Sequence, residues 1–137
     1  MKDTRLNIDS GKDFVVHIAH REMAPLVTQT SATLPRGESE VEKAGLKICD
    51  FPGSRLPRLK DCRIAYTCKL QDLQEIGNAQ QALIFAEVTQ VYIDDSVIQR
   101  DAKGRVKVMA DKVDPIGRLG GGEYATFGEI IYIPRPE

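Results

Sequence analysis

The chain has no tryptophan, few aromatic residues and no long apolar run. Of its 137 residues, 6% are aromatic, and apolar stretches such as residues 82–86 are short. A membrane-spanning helix needs roughly 20 consecutive apolar residues, so none is predicted. Lys2, Asp3 and Arg5 near the start precede no apolar segment, so no signal peptide is predicted either. These absences favour a cytoplasmic protein.

An excess of charge of either sign is also absent. The 19 Lys and Arg residues nearly balance the 20 Asp and Glu residues, which leaves a net charge of -1. Such a balance provides no general attraction to nucleic acid or to an anionic bilayer. We therefore expect neither nucleic acid nor membrane as a partner.

Cysteine is scarce, and its spacing fits neither zinc nor a disulfide framework. The three cysteines form no Cys-x-x-Cys pair, and His17 and His20 point to opposite sides of a strand and its exit, so no metal site is predicted. Cys68 falls on the apolar side of an alternating stretch and is expected to be a buried, inert thiol. Cys49 and Cys62 flank a proline-rich loop and are candidates for exposed thiols. The absence of a disulfide framework agrees with a reducing compartment.

The residues that are present predict one mainly β domain spanning 1–137. An apolar fraction of 42% and a charged fraction of 28% are typical of a globular domain. Short helices are predicted over 2–9, 22–30 and 39–44, and strands over 14–19, 62–71, 81–95 and 129–133. The first half of the 81–95 strand is apolar on both faces and is expected in the interior. The predicted core comprises Phe14, Val16, Ile64, Tyr66, Leu70, Ile84 and Phe85.

Residues 31–61 form a long predicted loop, punctuated by Pro35, Gly37, Pro52, Gly53 and Pro57. Loops of this length are unusual inside a small domain and commonly bind ligands or partners. We interpret the segment as a binding loop or as an arm that contacts a second chain.

Two motifs stand out, the segment Arg118-Leu119-Gly120-Gly121-Gly122-Glu123-Tyr124 and the triplet Lys2-Asp3-Thr4 at the start of the chain. They resemble motifs of the flavin reductase-like family, whose members are antiparallel FMN-binding split β-barrels, and the 118–124 segment is the stronger match. In the family this triplet lies in the middle of the domain, beside the flavin phosphate. The resemblance thus implies that the chain corresponds to the C-terminal two-thirds of the family domain, without its N-terminal strands.

The resemblance also implies a set of cofactor-binding residues. Lys2 would supply a cation to the FMN phosphate, Thr4 a hydroxyl, and Asp3 a cap for the following helix. Thr30 and Ser31 would pass near the flavin, although hydroxyls at a helix end also commonly bond to its carbonyls. Arg118 would meet the phosphate or an acid on a partner subunit, and Tyr124 would lie against the ring or at the mouth of the pocket. The alternative for 118–124 is a flexible loop with Tyr124 packed on the barrel.

The function implied is flavin-dependent electron transfer in a homodimer. FMN would accept hydride from NAD(P)H, and no protein side chain is assigned as a catalytic acid or base. Because the absent strands contribute much of the contact to the flavin ring, FMN binding is expected to be weak or lost. Two alternatives remain at this stage. One is a truncated, non-catalytic split-barrel module acting through dimerisation or partner binding, and the other is a small β-barrel interaction domain.

Overall fold

The computed structural model describes residues 3–78 and 81–136. Strands predominate, and the helices are short. The helices are α1 Asp3–Gly11, α2 Ala24–Gln29, α3 Glu40–Lys43 and α4 Ala110–Val113, with 3₁₀ turns at Arg21–Met23 and Asp95–Val97. The strands are β1 Asp13–Ile18, β2 Ile48–Cys49, β3 Arg58–Leu59, β4 Ile64–Ile76, β5 Gln81–Ile93, β6 Ile98–Arg100, β7 Val106–Val108, β8 Ile116–Gly120 and β9 Glu123–Thr126.

The principal sheet has the order β1-β4-β5, and both pairings are antiparallel. Directly opposite residues share a face, so the register shows which side chains lie together. One face carries three apolar rows across the sheet: Ile18, Ile64 and Ile93; Val16, Tyr66 and Val91; and Phe14, Cys68 and Val88. The alternation that the sequence predicts for β4 therefore forms the apolar face of the sheet.

This apolar face is covered along β4 and exposed on β5. Ile64 packs with the buried Val97 of the 95–97 turn and the buried Val113 of α4, and Cys68 is 5% exposed. On the edge strand β5, Val88 and Val91 are 51% and 50% exposed. The predicted core is thus correct for Ile64 and wrong for Val16 and Phe85, which are 39% and 45% exposed.

The interior of the 31–61 loop folds back on its own sheet. Phe51 is buried and packs edge-on against the Tyr92 ring, and the Arg58 guanidinium lies 3.6 Å from the centre of that ring. The Leu59 N–H donates to Nε2 of His17 on β1 at 2.9 Å. This part of the loop covers the sheet of its own chain, and the interpretation of residues 31–61 as an arm to a second chain stays a prediction.

Three further expectations are corrected. Residues 129–133 are not a strand, and 127–136 contain no regular secondary structure. The three glycines at 120–122 lie at the turn of the β8–β9 hairpin, where Gly121 has φ +53°. The first half of β5 is not interior, because Leu83, Phe85 and Ala86 are exposed. The strand lies at the edge of the sheet, and apolar patterning does not distinguish an edge strand from a central one.

Candidate functional site

The first turn of α1 has the geometry of an anion-binding site. Thr4 and Arg5 lie in this turn, so their backbone N–H groups are among those without partners inside the helix. Asp3 also lies there, where a carboxylate interacts favourably with the helix dipole. Lys2, the predicted phosphate ligand, lies outside the described residues.

A cleft of about 480 Å³ opens beside this turn. Thr4, Asn7 and Asp13 contribute polar groups to its wall, and Ile8, Phe14 and Val16 contribute apolar ones. The Asp13 carboxylate is paired with Arg55, which balances its charge. Among the described residues no hydrogen bond occupies the Thr4 hydroxyl, so it is available to a ligand. A polar group at a helix start beside an apolar wall fits a ligand with an anionic end and a flat apolar end.

Arg5 supplies a cation to the same helical turn. Its Nη2 pairs with Glu75 of β4, which ties α1 to the sheet. Its Nη1 is buried and, in the described part of the chain, has no hydrogen-bond partner. A buried guanidinium donor without an acceptor is energetically costly, but Arg5 does not line the cleft, so this donor is not directed at a ligand there.

Thr30 and Ser31 use their hydroxyls locally. Thr30 donates to the Val27 carbonyl at 2.9 Å and Ser31 to the Thr28 carbonyl at 2.6 Å. Both bonds satisfy carbonyls at the end of α2, as the alternative interpretation of these residues held. Each hydroxyl oxygen keeps its capacity to accept a further hydrogen bond.

Arg118 and Tyr124 contact each other across the β8–β9 hairpin. Arg118 Nη1 donates to the Tyr124 hydroxyl at 3.1 Å, and its Nη2 donates to the Gly121 carbonyl at 2.7 Å. The Tyr124 hydroxyl also lies 2.8 Å from Oγ1 of Thr28 on α2. The β8–β9 hairpin is therefore joined to α2, the helix that ends just before Thr30 and Ser31. Thr28 belongs to this group of residues, and sequence reasoning missed it.

The predicted site residues fall into two groups. Thr4 belongs to the α1 cleft, whereas Thr30, Ser31, Arg118 and Tyr124 belong to the α2–hairpin group. No hydrogen bond within 3–78 and 81–136 joins α1 to the second group. The structure thus brings together the candidates that follow β1 in the chain, whereas the candidate for phosphate binding, Thr4, belongs to a separate group.

The cysteines offer no activated nucleophile. Cys62 is 2% exposed and its Sγ lies 3.7 Å from Sδ of Met23, and burial raises the pKa of its thiol to about 11. Burial also raises the pKa of Cys68, as its predicted inertness requires. Cys49 is half-buried, and all three thiols are free. The expectation of an exposed Cys62 is wrong, because the turn from β3 into β4 carries it into the interior.

The described residues contain neither a membrane-spanning helix nor a cluster of metal ligands. No helix among them is long and apolar enough to cross a bilayer. No group of three or more His, Cys, Asp or Glu side chains among them could hold a metal ion.

The structure belongs to a known class of fold. Component B of nitrilotriacetate monooxygenase from Bacillus cereus superposes with a TM-score of 0.83 at 29% identity, over 97% of this chain and 65% of that one. A Shewanella frigidimarina protein assigned as a flavin reductase with a split barrel domain gives 0.82 at 24% identity, over 97% and 65%. The fold is the antiparallel split barrel.

The family follows from the sequence comparison. The model of the flavin reductase like domain matches residues 1–108, so the chain belongs to that family. The uncharacterized protein YwrF of Bacillus subtilis is 29% identical over 139 aligned positions, which cover 98% of this chain. The chain spans 66% of the length of that relative, just under two thirds.

Proposed function

We propose that this chain is an FMN-binding domain of a cytoplasmic, homodimeric oxidoreductase that takes electrons from NAD(P)H. The observation that carries the proposal is Thr4, placed in the first turn of α1 beside an apolar cleft. Membership of the flavin reductase like family supports the choice of flavin as the ligand.

The residues of the cleft fit the phosphate end of FMN. The Thr4 hydroxyl and the first N–H groups of α1 would hold the phosphate, with Lys2 as a counter-charge. Arg5 does not line the cleft, and its guanidinium pairs instead with Glu75 of β4. Asp3 would stabilise the helix start rather than contact the anion.

The second group of residues would serve the rest of the cofactor. Arg118 and Tyr124 are held together, and Tyr124 is fixed to Thr28 at the end of α2. Thr30 and Ser31 leave oxygen lone pairs that accept hydrogen bonds from ribityl hydroxyls or the ring edge. Their role in the proposal is orientation.

When bound, FMN would supply the redox chemistry by accepting hydride from the reduced nicotinamide. The residues of this chain would bind, orient and exclude water. Among the described residues none is placed as a catalytic acid, base or nucleophile. The thiols of Cys62 and Cys68 are buried, and burial raises the pKa of each.

The affinity is expected to be low when this chain is alone. Charge-assisted phosphate contacts are worth about 1.5–3 kcal/mol each, whereas association costs at least ~4 kcal/mol. Apolar burial of the ring adds about 25 cal/mol per Å². The apolar face of the sheet is exposed to water at Val88 and Val91, so this chain alone would bury little of the flavin ring, and the apolar contribution to the affinity is small.

Titration of FMN with fluorescence detection tests the proposal. Weak binding that is abolished by Thr4→Ala and by Lys2→Ala is expected, with Thr126→Ala on the exposed strand β9 as the control. Tight binding that survives both substitutions would place the flavin elsewhere. No binding to the unsubstituted chain would contradict the proposal.

The second candidate is a non-catalytic split-barrel module that acts through dimerisation or partner binding. The open apolar face and the exposed edge of β5 favour it, because such surfaces in soluble proteins commonly contact another chain. The visible spectrum of the purified protein separates the two. Flavin absorption supports the first candidate, and a colourless protein that also fails the titration supports the second.

A further inference from the structure

The described wall of the α1 cleft contains one acidic residue and no basic one. Asp13, the first residue of β1, lines the cleft together with Thr4 at the start of α1. A carboxylate in this wall opposes the binding of an anion, because like charges repel. A cleft that accepts a phosphate therefore needs a cation that balances Asp13.

Arg55 of the 31–61 loop is that cation. Its Nη2 lies 2.7 Å from Oδ2 of Asp13, and its Nε donates to the same oxygen at 2.9 Å. The Nη2 group also donates to the carbonyl of Gly11, the last residue of α1, at 3.1 Å. Arg55 thus balances both the carboxylate and the negative end of the helix dipole.

Arg55 is the only cation paired with Asp13 in the described part of the chain. Lys69 lies opposite Asp13 in the β1–β4 register without forming an ion pair with it. Lys12 precedes Asp13 in the chain but pairs with Asp9. The charge balance of the cleft therefore depends on a residue that is 42 positions away in sequence.

Other contacts hold the loop beside the sheet. Phe51 is buried and packs edge-on against the Tyr92 ring, and the Gln90 amide donates to the Pro52 carbonyl at 2.6 Å. Because these contacts do not involve Arg55, its replacement should change the charge beside the cleft and leave the loop folded.

We propose that Arg55 is a specificity-determining residue of the cofactor site, because it neutralises Asp13 and so allows the α1 cleft to accept a flavin that carries a phosphate. The proposal rests on the proposed function and adds the 31–61 loop to the cofactor site, although Arg55 itself does not line the cleft. The effect is long-range and moderate, since α1 is nine residues long and roughly 13 Å separate its start from its end.

A comparison of FMN with riboflavin tests the proposal, because riboflavin has the same ring and ribityl chain without the phosphate. Arg55→Gln leaves Asp13 unbalanced and should weaken FMN binding about two- to fivefold at ~20 mM salt, with no change for riboflavin. Adding Asp13→Asn should restore the FMN affinity, since no carboxylate then needs to be balanced. At ~0.5 M salt the loss should fall below about twofold, because charges are then screened within ~4 Å.

A second ion pair provides a matched control. Arg105 and Asp101 are also 2.7 Å apart, and their side chains are 74% and 39% exposed, compared with 69% and 37% for Arg55 and Asp13. Neither residue of the control pair lines the cleft. Arg105→Gln should leave the binding of both flavins unchanged. Exposed ion pairs contribute little to stability, so urea unfolding should show that both glutamine variants are folded.

The remaining outcomes separate this proposal from the proposed function. Equal FMN affinity of Arg55→Gln and the unsubstituted chain would overturn the role of Arg55 and leave the proposed function standing. A loss that riboflavin shares, or that Asp13→Asn does not restore, would mean that Arg55 acts on the fold rather than through charge, and would also overturn the proposal. If the unsubstituted chain binds no FMN, the proposed function and this proposal are both contradicted.

Discussion

Several side-chain contacts join the 31–61 loop to the principal sheet. One of them involves a titratable side chain, His17 of β1. Its Nε2 accepts the Leu59 N–H at 2.9 Å, so the ring must be neutral at this nitrogen. Burial and then the neighbouring Arg58 charge lower the pKa of His17 below its ordinary value of 6.5. Protonation would remove the acceptor and place a second cation beside Arg58.

The pH dependence of stability follows from this shift. The unfolded state binds the proton more readily than the folded state, so stability is complete above pH 6.5 and falls as the pH drops toward the lowered folded pKa. We expect the free energy of unfolding in urea to be lower at about pH 5.5 than at about pH 7.5. His17→Gln keeps an acceptor without titrating and should reduce this difference. An unchanged pH slope in His17→Gln would assign the effect to other groups.

At the scale of elements, the approach of the 31–61 loop to β5 depends on one glycine. Gly53 has φ +84°, and a Cβ there would lie 3.1 Å from Oε1 of Gln90. The Gln90 amide in turn donates to the Pro52 carbonyl at 2.6 Å. A side chain at position 53 would therefore strain the turn and displace Gln90.

Gly37 provides a matched comparison, because it has φ +93° but open space around its Cβ position. Gly37→Ala should cost about 1 kcal/mol of stability from backbone strain alone. Gly53→Ala should cost roughly 1 kcal/mol more, since a hydrogen bond of the loop is disturbed as well. Thermal or urea unfolding measures both. Equal costs would mean that Gln90 moves aside freely.

The whole molecule has a core that is closed at one end and open at the other. Ile64, Val97 and Val113 form the closed end, and Val88 and Val91 lie at the open end. The fold therefore predicts that truncating a side chain at the closed end destabilises the protein much more than truncating one at the open end.

Alanine substitutions at the two ends measure the contrast. Ile64→Ala should cost about 2–5 kcal/mol, as other buried aliphatic truncations do. Val88→Ala should cost less than about 1 kcal/mol in the isolated chain, because half of the side chain is already in water. A cost at Val88 similar to that at Ile64 would show that another chain covers the face in solution. Dilution into the monomeric range before unfolding controls for this.

The sequence by itself predicted the two long strands and the family. Alternation indicated β4, because a period of two has only one structural interpretation over ten residues, and an apolar run indicated β5. The Arg118 to Tyr124 motif pointed to the family that the comparison confirms. The first helix was also predicted, over 2–9 where the structure has Asp3–Gly11, since its apolar contacts and the closing glycine are local signals.

The tertiary structure decided which apolar surfaces are buried and which side chains meet. Leu83 and Phe85 read as interior residues, but they lie on an edge strand, and an edge is defined by what pairs beside it rather than by its own sequence. Residues 130–133 read as a strand, but a strand requires a partner, and the described chain offers none in contact with them. Thr28 joined Tyr124 only through packing 96 residues apart in sequence. Local patterns specify elements, whereas burial and contact depend on long-range neighbours that no single segment encodes.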